Sequence, residues 1–296
     1  MKQRHIYAAI REAHEETGYP IELACKLLHA ARSAYHRWAS GKLSQRATEN
    51  ERLADTLEKI HEESPDKGYR RLNDDLRHDC GIHVNDKRVL RICRARDIRS
   101  TVKYNNRGCT RQAKNPQYLA ENLLDRQFYA AKPNEKWLTD VTEFKWYEGS
   151  EIHKLYLSAI LDLCDRRIVS YVLSERNDNP LVFKTFDKAV QANPDAQPLF
   201  HSDRGFQYTN RTFHHKLVRA GMTQSMSRVA HCIDNGPMEG FWGILKRERY
   251  YGRQFTSKRE LVQMIENYIR YYNTRRVQRN LGVLTPMEKH TLCLAA

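Results

Sequence analysis

Asp234-Asn235-Gly236-Pro237-Met238-Glu239-Gly240-Phe241-Trp242-Gly243-Ile244-Leu245-Lys246 is the most informative stretch of this sequence. Its beginning is typical of a helix start. Asp234 or Asn235 can cap a helix, and Pro237 fits a first turn, where no backbone N–H donor is required. The aromatic and leucine side chains in its second half supply a face that packs inward. The stretch therefore predicts a half-buried helix that begins near residue 236.

Glu239 and Lys246 are seven residues apart, which places them two turns apart on one side of this helix. A helix start also favours negative charge. Two further carboxylates occupy positions that call for an explanation. Asp140 lies inside a strand-like run, where a carboxylate is unfavourable both for strand formation and for burial. Asp203 follows a short apolar strand, a usual place for chemistry in an α/β sheet, and 35 residues separate it from Glu239.

Three carboxylates on rigid elements suit Mg²⁺ or Mn²⁺, because these ions prefer carboxylate and water ligands. Two such ions about 4 Å apart can hold the attacking and leaving oxygens of an in-line phosphoryl displacement. This chemistry needs no covalent protein nucleophile. We therefore predict that Asp140, Asp203 and Glu239 are both the metal ligands and the catalytic residues, with two ions per active site.

Two of the three acidic residues also have a purely structural interpretation. Asp203 could be a turn residue, and Glu239 could belong to a helix-capping box. Asp162 and Asp165 are rival carboxylates, although Asp165 lies in what resembles a hairpin turn. His201 could orient the site or could be a hydrogen-bonding histidine of the core. The pattern alone leaves these alternatives open.

The composition favours a polyanionic partner. The 296 residues carry a formal net charge of +14, with a pI near 9.5. A basic protein without such a partner is the alternative. The seven cysteines are scattered and form no C-x-x-C pair, which argues against a zinc ribbon or a disulfide framework and fits a reducing compartment. The sequence has no apolar run of membrane-spanning length and no signal peptide at its start.

The first hundred residues are predicted to be helical. Two short helices within 1–40 suggest a helix-turn-helix or a small bundle, and a longer charged helix follows to Glu63. Residues 67–114 carry a net charge of +9 and include a predicted helix at Lys87–Arg96. DNA contact and a solvated charged face are the two interpretations of this helix. The predicted contacts in this region are Arg70, Arg71, Lys87, Arg88 and Arg91.

The rest of the chain has an α/β pattern. Three strand-like runs between Trp137 and Ser174 precede alternating helices and short strands, which predicts a mixed sheet. A final helix at Lys258–Tyr272 lies in a segment, 246–279, with a net charge of +7 and interleaved tyrosines. Arg275 and Arg276 are candidate DNA contacts there. Packing of this helix back onto the core is the alternative.

These patterns predict five regions. They are an N-terminal helical region at 1–63, a basic helical DNA-binding domain at 64–100, a linker at 101–134 with a short helix near Tyr118–Phe128, a catalytic core at 135–255, and a basic C-terminal helix and tail at 256–296.

Several motifs together resemble the integrase-core transposases of bacterial insertion sequences. They are Trp137-Leu138-Thr139-Asp140-Val141-Thr142, His201-Ser202-Asp203-Arg204-Gly205-Phe206-Gln207-Tyr208, Asp234-Asn235-Gly236-Pro237-Met238-Glu239 with Lys246, and Tyr271-Tyr272-Asn273-Thr274-Arg275-Arg276. Upstream, Gly68-Tyr69-Arg70-Arg71 and Val84-Asn85-Asp86-Lys87-Arg88-Val89 resemble the basic helical domain that precedes the core in that family. The resemblance covers nearly the whole chain.

The resemblance implies an RNase H-like integrase core, an α/β fold with a mixed five-stranded sheet and flanking helices, preceded by all-α DNA-binding segments. It implies a DDE reaction at Asp140, Asp203 and Glu239, in which DNA is cleaved and the freed 3′-hydroxyl then attacks another phosphodiester. Lys246 is implied as a contact to the end of the element. The implied partners are the terminal inverted repeats, target DNA, further copies of the chain on DNA, and a protein from an upstream reading frame. The implied location is the bacterial cytoplasm, near the nucleoid.

Two other functions remain compatible with the sequence. One is a non-catalytic DNA-binding regulator derived from a transposase, and the other is an RNase H-like nuclease that cleaves DNA without strand transfer. The complete set of three carboxylates favours an enzyme over a regulator, because a regulator needs no carboxylates beside its DNA. The two separate basic regions favour an enzyme that holds DNA ends.

Overall fold

The computed structural model describes residues 2–41, 44–102, 116–228 and 232–295. Its first third is helical, and the remainder is a sheet with helices on both faces. The first six helices are α1 (Lys2–Thr17), α2 (Ile21–Leu27), α3 (Arg32–Ala39), α4 (Gln45–Glu63), α5 (Tyr69–Asp79) and α6 (Asp86–Ala95). The later elements are β1 (Lys136–Glu148), β2 (Glu151–Asp162), β3 (Ile168–Ser174), α7 (Asn179–Ala192), β4 (Leu199–Ser202), α8 (Arg211–Arg219), β5 (Thr223–Met226), α9 (Gly236–Leu245), α10 (Lys258–Thr274) and α11 (Pro286–Ala295).

The five strands form one mixed sheet in the order β3-β2-β1-β4-β5. β1, β2 and β3 are antiparallel neighbours, whereas β4 runs parallel to β1 and β5 runs parallel to β4. This arrangement confirms the predicted mixed sheet. Because β4 lies beside the first half of β1, the carboxyl end of β4 lies close to the middle of β1.

Alternation along β1 separates two layers of core on opposite faces of the sheet. Trp137 points into a cluster with α7 and α8, and its side chain is fully buried. Leu138 and Phe144 point to the other face, into a cluster with α9 and α10. Asp140 is two residues after Leu138, so its side chain points to the same face of the sheet. The strand therefore directs its carboxylate toward α9.

The helical first third contains two separate hydrophobic clusters. Side chains of α1, α2 and α3 form the first around Tyr7, Ile10 and Tyr35. Side chains of α4, α5 and α6 form the second, so α4 packs with the basic helices that follow it. The predicted division after residue 63 falls inside this second cluster. No helix of the described ranges is both long enough and apolar enough to span a membrane.

The predicted short helix near Tyr118–Phe128 is wrong. This segment is irregular, because β5 and its neighbours occupy its backbone amides: Leu123 and Leu124 both donate to Ser225 Oγ, at 3.0 and 3.2 Å. Ala120 and Leu124 are buried in the core. Residues 103–115 of the predicted linker lie outside the described residues.

Candidate active site

Asp140 lies in the middle of β1, opposite Ala159 of β2. Its Oδ1 accepts the backbone N–H of Val141 at 2.7 Å, and its Oδ2 accepts the indole N–H of Trp242 at 3.0 Å. Trp242 belongs to α9, three residues after Glu239. The strand carboxylate is therefore tied directly to the helix that carries the third acidic residue.

Asp203 follows the last residue of β4. Its Oδ1 accepts the N–H of Gly205 at 2.9 Å. A Cβ at position 205 would lie only 3.0 Å from this oxygen, so the turn favours glycine. Asp203 is thus a turn residue and a neighbour of Asp140 at once. Its role in the turn is therefore compatible with its predicted role as a metal ligand.

Glu239 lies exposed in the first turn of α9. Asn235 occupies the predicted N-cap position of α9, but its side chain makes no capping hydrogen bond. The Nδ2 of Asn235 donates 3.1 Å to the carbonyl oxygen of Thr139, and the carboxylate of Asp234 binds arginines. Asn235 thereby fixes the start of α9 beside Asp140, on the neighbouring residue of β1.

The charge of Asp203 acts on the other two carboxylates. Burial, followed by the charge of Asp203, raises the pKa of Asp140 well above its usual range, and Glu239 adds a smaller contribution. Burial raises the pKa of Asp203. Burial and the charge of Asp203 raise the pKa of Glu239. Among the described residues, none of the three makes an ion pair with a cationic side chain. A divalent cation is the kind of group that would relieve this repulsion.

The side chains as placed do not yet form a closed metal cage. Across the described residues, no three His, Cys, Asp or Glu side chains lie close enough together to hold an ion. The donor chemistry nevertheless fits Mg²⁺ or Mn²⁺, since all three groups offer carboxylate oxygens and Glu239 is exposed.

His201 is a hydrogen-bonding residue of the core. Its Nδ1 lies 2.9 Å from Ser225 Oγ and its Nε2 lies 3.1 Å from Ser227 Oγ. Burial lowers the pKa of His201 to about 4, so the imidazole is neutral at pH 7. The histidine connects β4 to β5 and to the residue after β5, and it is fully buried.

The rival carboxylates, Asp162 and Asp165, have structural partners at the β2–β3 turn. Asp162 accepts the N–H groups of Asn134 and Cys164 and the indole N–H of Trp137. Asp165 binds Arg167 and His290. Both are fully buried and have these structural partners, so they are not candidates for the metal site. Asp140, Asp203 and Glu239 remain the candidate ligands.

The predicted DNA contacts fall into two groups. Lys87 and Arg91 on α6, Arg70 on α5 and Arg275 after α10 are exposed. Arg88 is half-buried, and it binds Asn50 and Glu49 of α4.

Two other arginines lie in an internal network. The carboxylate of Glu248 accepts from Arg71 Nη1 at 2.8 Å, from Arg276 Nη2 at 2.9 Å and from the hydroxyl of Tyr268 at 2.9 Å. Glu248 belongs to a π-helical turn, Lys246–Tyr250, that continues α9. Lys246 is half-buried, with its ammonium group 5.2 Å from the ring centre of Phe144. A DNA role for these residues stays a prediction.

The sequence did not reveal two features of the site. One is Trp242 as a hydrogen-bond donor to Asp140, and its spacing of three residues from Glu239 is the signal that could have indicated it. The other is a pair of arginines, Arg126 and Arg228, bound to Asp234. No local pattern joins these two, because they are far apart in the chain.

Comparison with known protein families gives three matches. An integrase core domain matches residues 130–232, an HTH-like domain matches 48–105, and a second integrase core domain matches 239–292. An Escherichia coli K12 protein that carries the name of transposase InsK of insertion sequence element IS150 is 37% identical over 277 residues, which cover 91% of this chain and 93% of the relative. The transposase of insertion sequence element IS904 from Lactococcus lactis is 32% identical, with 83% and 96% covered.

The chain belongs to the insertion-sequence transposases with an integrase core. In this transposase the first core match contains Asp140 and Asp203, and the second begins at Glu239. The HTH-like match joins α4 to α5 and α6, as does the hydrophobic cluster. Among solved structures, the HTLV-2 integrase catalytic core domain in complex with magnesium is 18% identical, with a TM-score of 0.40, and 54% of this chain and 97% of that chain are covered.

Proposed function

We propose that this transposase cleaves DNA and transfers the cut strand by a metal-dependent DDE mechanism. The observation that supports the proposal is that Asp140, Asp203 and Glu239 come from three elements, interact electrostatically and lack a cationic partner among the described residues. Burial raises the pKa of all three, and the charge of Asp203 raises the pKa of Asp140 and of Glu239 further. Such repulsion is costly unless a cation offsets it.

Asp140, Asp203 and Glu239 would hold the two divalent ions. When bound, these ions activate the attacking water or 3′-hydroxyl and stabilise the leaving oxygen. The residues of the chain orient the ligands: the indole N–H of Trp242 and the amide of Val141 fix the carboxylate of Asp140. The amide of Gly205 fixes that of Asp203. Glu239, on a helix start, is the ligand with most freedom to adjust.

The exposed basic side chains supply the second half of the proposal. We assign DNA binding to the HTH-like region through Lys87, Arg91 and Arg70, and to Arg275 beside the core. Lys246, one residue beyond α9, is assigned to the end of the element. These side chains would place the phosphodiester over the carboxylates, which is most of what catalysis of phosphoryl transfer requires.

Asp203→Asn and Glu239→Gln test the proposal. Each should reduce Mg²⁺-dependent cleavage and joining by roughly 10³-fold, because removing a ligand forfeits several kcal/mol of charge stabilisation. DNA affinity should survive in both. Asp195→Asn, at an exposed position before β4, is the matched control and should behave as wild type. Cleavage that persists in the site variants while DNA binding is lost would refute the assignment.

The assay should follow the joined product as well as the cut strand. Joined product separates a transposase from a nuclease that only cleaves, and no metal-dependent product at all would indicate a regulator. Running the reaction with and without the product of an upstream reading frame tests whether that partner is required. Cross-linking on DNA reports whether several copies assemble.

A further inference from the structure

Asp234 is a fully buried carboxylate just before α9, and it organises two arginines from distant parts of the chain. Arg126 Nε lies 2.8 Å from its Oδ1, and Arg228 Nε lies 2.9 Å from its Oδ2. Asn122 Nδ2 donates a further hydrogen bond at 3.0 Å. The Arg228 side chain, followed by that of Arg126, holds the pKa of Asp234 far below its usual range. The carboxylate is therefore a permanent anchor for both guanidinium groups.

Both guanidinium groups bind the buried carboxylate on one side and are exposed to solvent on the other. The side chains of Arg126 and Arg228 are 45% and 43% exposed, although each is bound to a carboxylate that is 0% exposed. A third arginine has the same arrangement: Arg204 Nε donates 2.8 Å to the carbonyl oxygen of Ser227. Among the described residues, the terminal nitrogens of Arg126 and Arg204 have no hydrogen-bond partner.

This cluster lies at the rim of the carboxylate site. Arg204 directly follows Asp203 in the chain, and its guanidinium reaches the residue before Arg228. On the other side, Asn235 follows the anchor Asp234 and binds Thr139, the neighbour of Asp140. The cluster contains three arginines but only two carboxylates, Asp234 and the more distant Asp125, which is 3.8 Å from Arg228. The cluster therefore keeps a net positive charge beside a strongly acidic site.

The backbone that presents Arg126 is strained. Asp125 and Arg126 have φ angles of 40° and 60°, in the left-handed region that non-glycine residues rarely adopt. Two such residues in succession cost of order 1–3 kcal/mol each and persist only where the surroundings enforce them. Here the bonds of Asn122 and Arg126 to Asp234 enforce the turn. Strain that holds an exposed guanidinium in place is consistent with a binding role.

We propose that Arg126, Arg204 and Arg228 bind a DNA phosphate that flanks the phosphodiester at the carboxylates. Arg126 and Arg204, held at Nε, present both terminal nitrogens as a rigid fork that matches the oxygens of a phosphate. Arg228 adds its Nη1, because its Nη2 donates to Asp234 Oδ1 at 3.0 Å. The positive rim draws the strand to a site that would otherwise repel it. The inference rests on the proposed function for the identity of the ligand, but it assigns a site apart from the three carboxylates and the HTH-like region.

Neutralising single phosphates tests the site. The probe is a short branched DNA of mixed sequence that imitates a strand-transfer product, in versions with one uncharged methylphosphonate at each position next to the branch. Fluorescence anisotropy without divalent metal gives the dissociation constants, so no reaction interferes. Wild-type protein should lose about tenfold in affinity at one or two positions, the value of a charged hydrogen bond.

The variants are Arg204→Ala, which leaves the buried Asp234 fully paired, and Arg228→Lys, which keeps a positive charge beside it. Each should bind unmodified DNA about tenfold more weakly than wild type and lose nothing further at the sensitive positions. Arg219→Ala, at an exposed site on α8, is the control and should keep the wild-type pattern. Circular dichroism verifies that each variant is folded.

The proposal would be overturned if methylphosphonates at the same positions weaken DNA binding by the variants as much as they weaken binding by wild type. It would also be overturned if no methylphosphonate near the branch weakens DNA binding by wild type. The cleavage assay is separate. Metal-dependent cleavage with an insensitive rim would refute this inference alone. A sensitive rim without cleavage would refute the proposed function and leave the phosphate site standing.

Discussion

At the residue scale, the hydrogen bond from Trp242 to Asp140 is the most specific contact of the site. It joins β1 to α9 through a side chain that is 6% exposed, and its 3.0 Å length is that of a good N–H···O bond. A donor aimed at a carboxylate stabilises the charged form. Burial and the neighbouring carboxylates act in the opposite direction. Trp242 is therefore a positioning residue that favours the ionised state a metal needs.

Trp242→Phe should weaken cation binding while leaving the fold intact. Phenylalanine keeps most of the buried surface but cannot donate to Asp140, and a hydrogen bond to a charged group contributes about 1.5–3 kcal/mol. The affinity for Mn²⁺, measured by calorimetry or electron paramagnetic resonance, should fall by about tenfold or more. Trp146→Phe is the control, because the indole N–H of Trp146 has no partner among the described residues. Equal Mn²⁺ affinities in all three proteins would exclude this role.

At the element scale, the C-terminal helix α11 connects the core to the helical module. A capping box begins it: Thr285 N–H donates to Glu288 Oε2 at 2.8 Å, and Glu288 N–H donates to Thr285 Oγ1 at 3.2 Å. Glu288 also contacts His78 of α5, whose Nε2 lies 3.0 Å from the carboxylate, while His78 Nδ1 lies 2.6 Å from Asp79. Glu288 thus caps the start of α11 and also contacts α5.

This contact should weaken as the solution becomes alkaline. Burial disfavours the charge on His78, but the carboxylates of Asp79 and Glu288 outweigh it and raise the pKa of His78. A histidine with a pKa raised by folding stabilises the protein fully below its unfolded value, about 6.5, and loses this contribution as pH rises through the folded value. The contribution should be at most about 1 kcal/mol, because the partner carboxylates are largely exposed.

The measurement compares melting temperatures of wild type and His78→Gln from below the unfolded pKa of histidine, about 6.5, to above its raised folded pKa. Wild type should melt higher on the acidic side, and the two curves should converge on the alkaline side. His83→Gln, at an exposed position on the same module, is the control for the loss of an imidazole. A constant difference between wild type and His78→Gln at every pH would show that the ion pair does not contribute.

At the scale of the whole molecule, buried ion pairs connect the HTH-like region to the segment that matches an integrase core. Glu248, 7% exposed, lies between Arg71 from α5 and Arg276 from beyond α10. Asp66 extends the network, at 3.1 Å from Arg71 and 3.0 Å from Arg249. Two carboxylates and three arginines share this interface. Its geometry fixes where the DNA-binding helices lie relative to the carboxylates.

Glu248→Gln should destabilise the molecule by about 3 kcal/mol, because it leaves two nearly buried arginines without their common counter-charge. Thermal unfolding measures the loss. Glu266→Gln, at an exposed position on α10, should change stability by no more than about 0.5 kcal/mol. A melting temperature for Glu248→Gln equal to that of the control would indicate that the network contributes orientation without stability.

Local sequence patterns were enough to predict most elements and to point to the acidic residues of the candidate site. Asp140, Asp203 and Glu239 each occupy a local position that a pattern can reveal: mid-strand, strand end and first helical turn. Alternation and helical periodicity likewise predicted the strands and most helices. The capping box Thr285-Pro286-Met287-Glu288 also announces α11 locally, although the prediction left that helix in a tail.

The pairing of charges, in contrast, follows from how distant elements pack together. Arg71 and Glu248 are 177 residues apart, and net charge counts both arginine and glutamate without saying which ones meet. The same holds for Trp242 as a donor to Asp140, and for the arginines on Asp234. The segment near Tyr118–Phe128 lost its predicted helix for a related reason, since its amides bind partners outside the segment. Local patterns follow from the backbone of one element, whereas a buried charge takes whichever partner the packing of distant elements brings within reach.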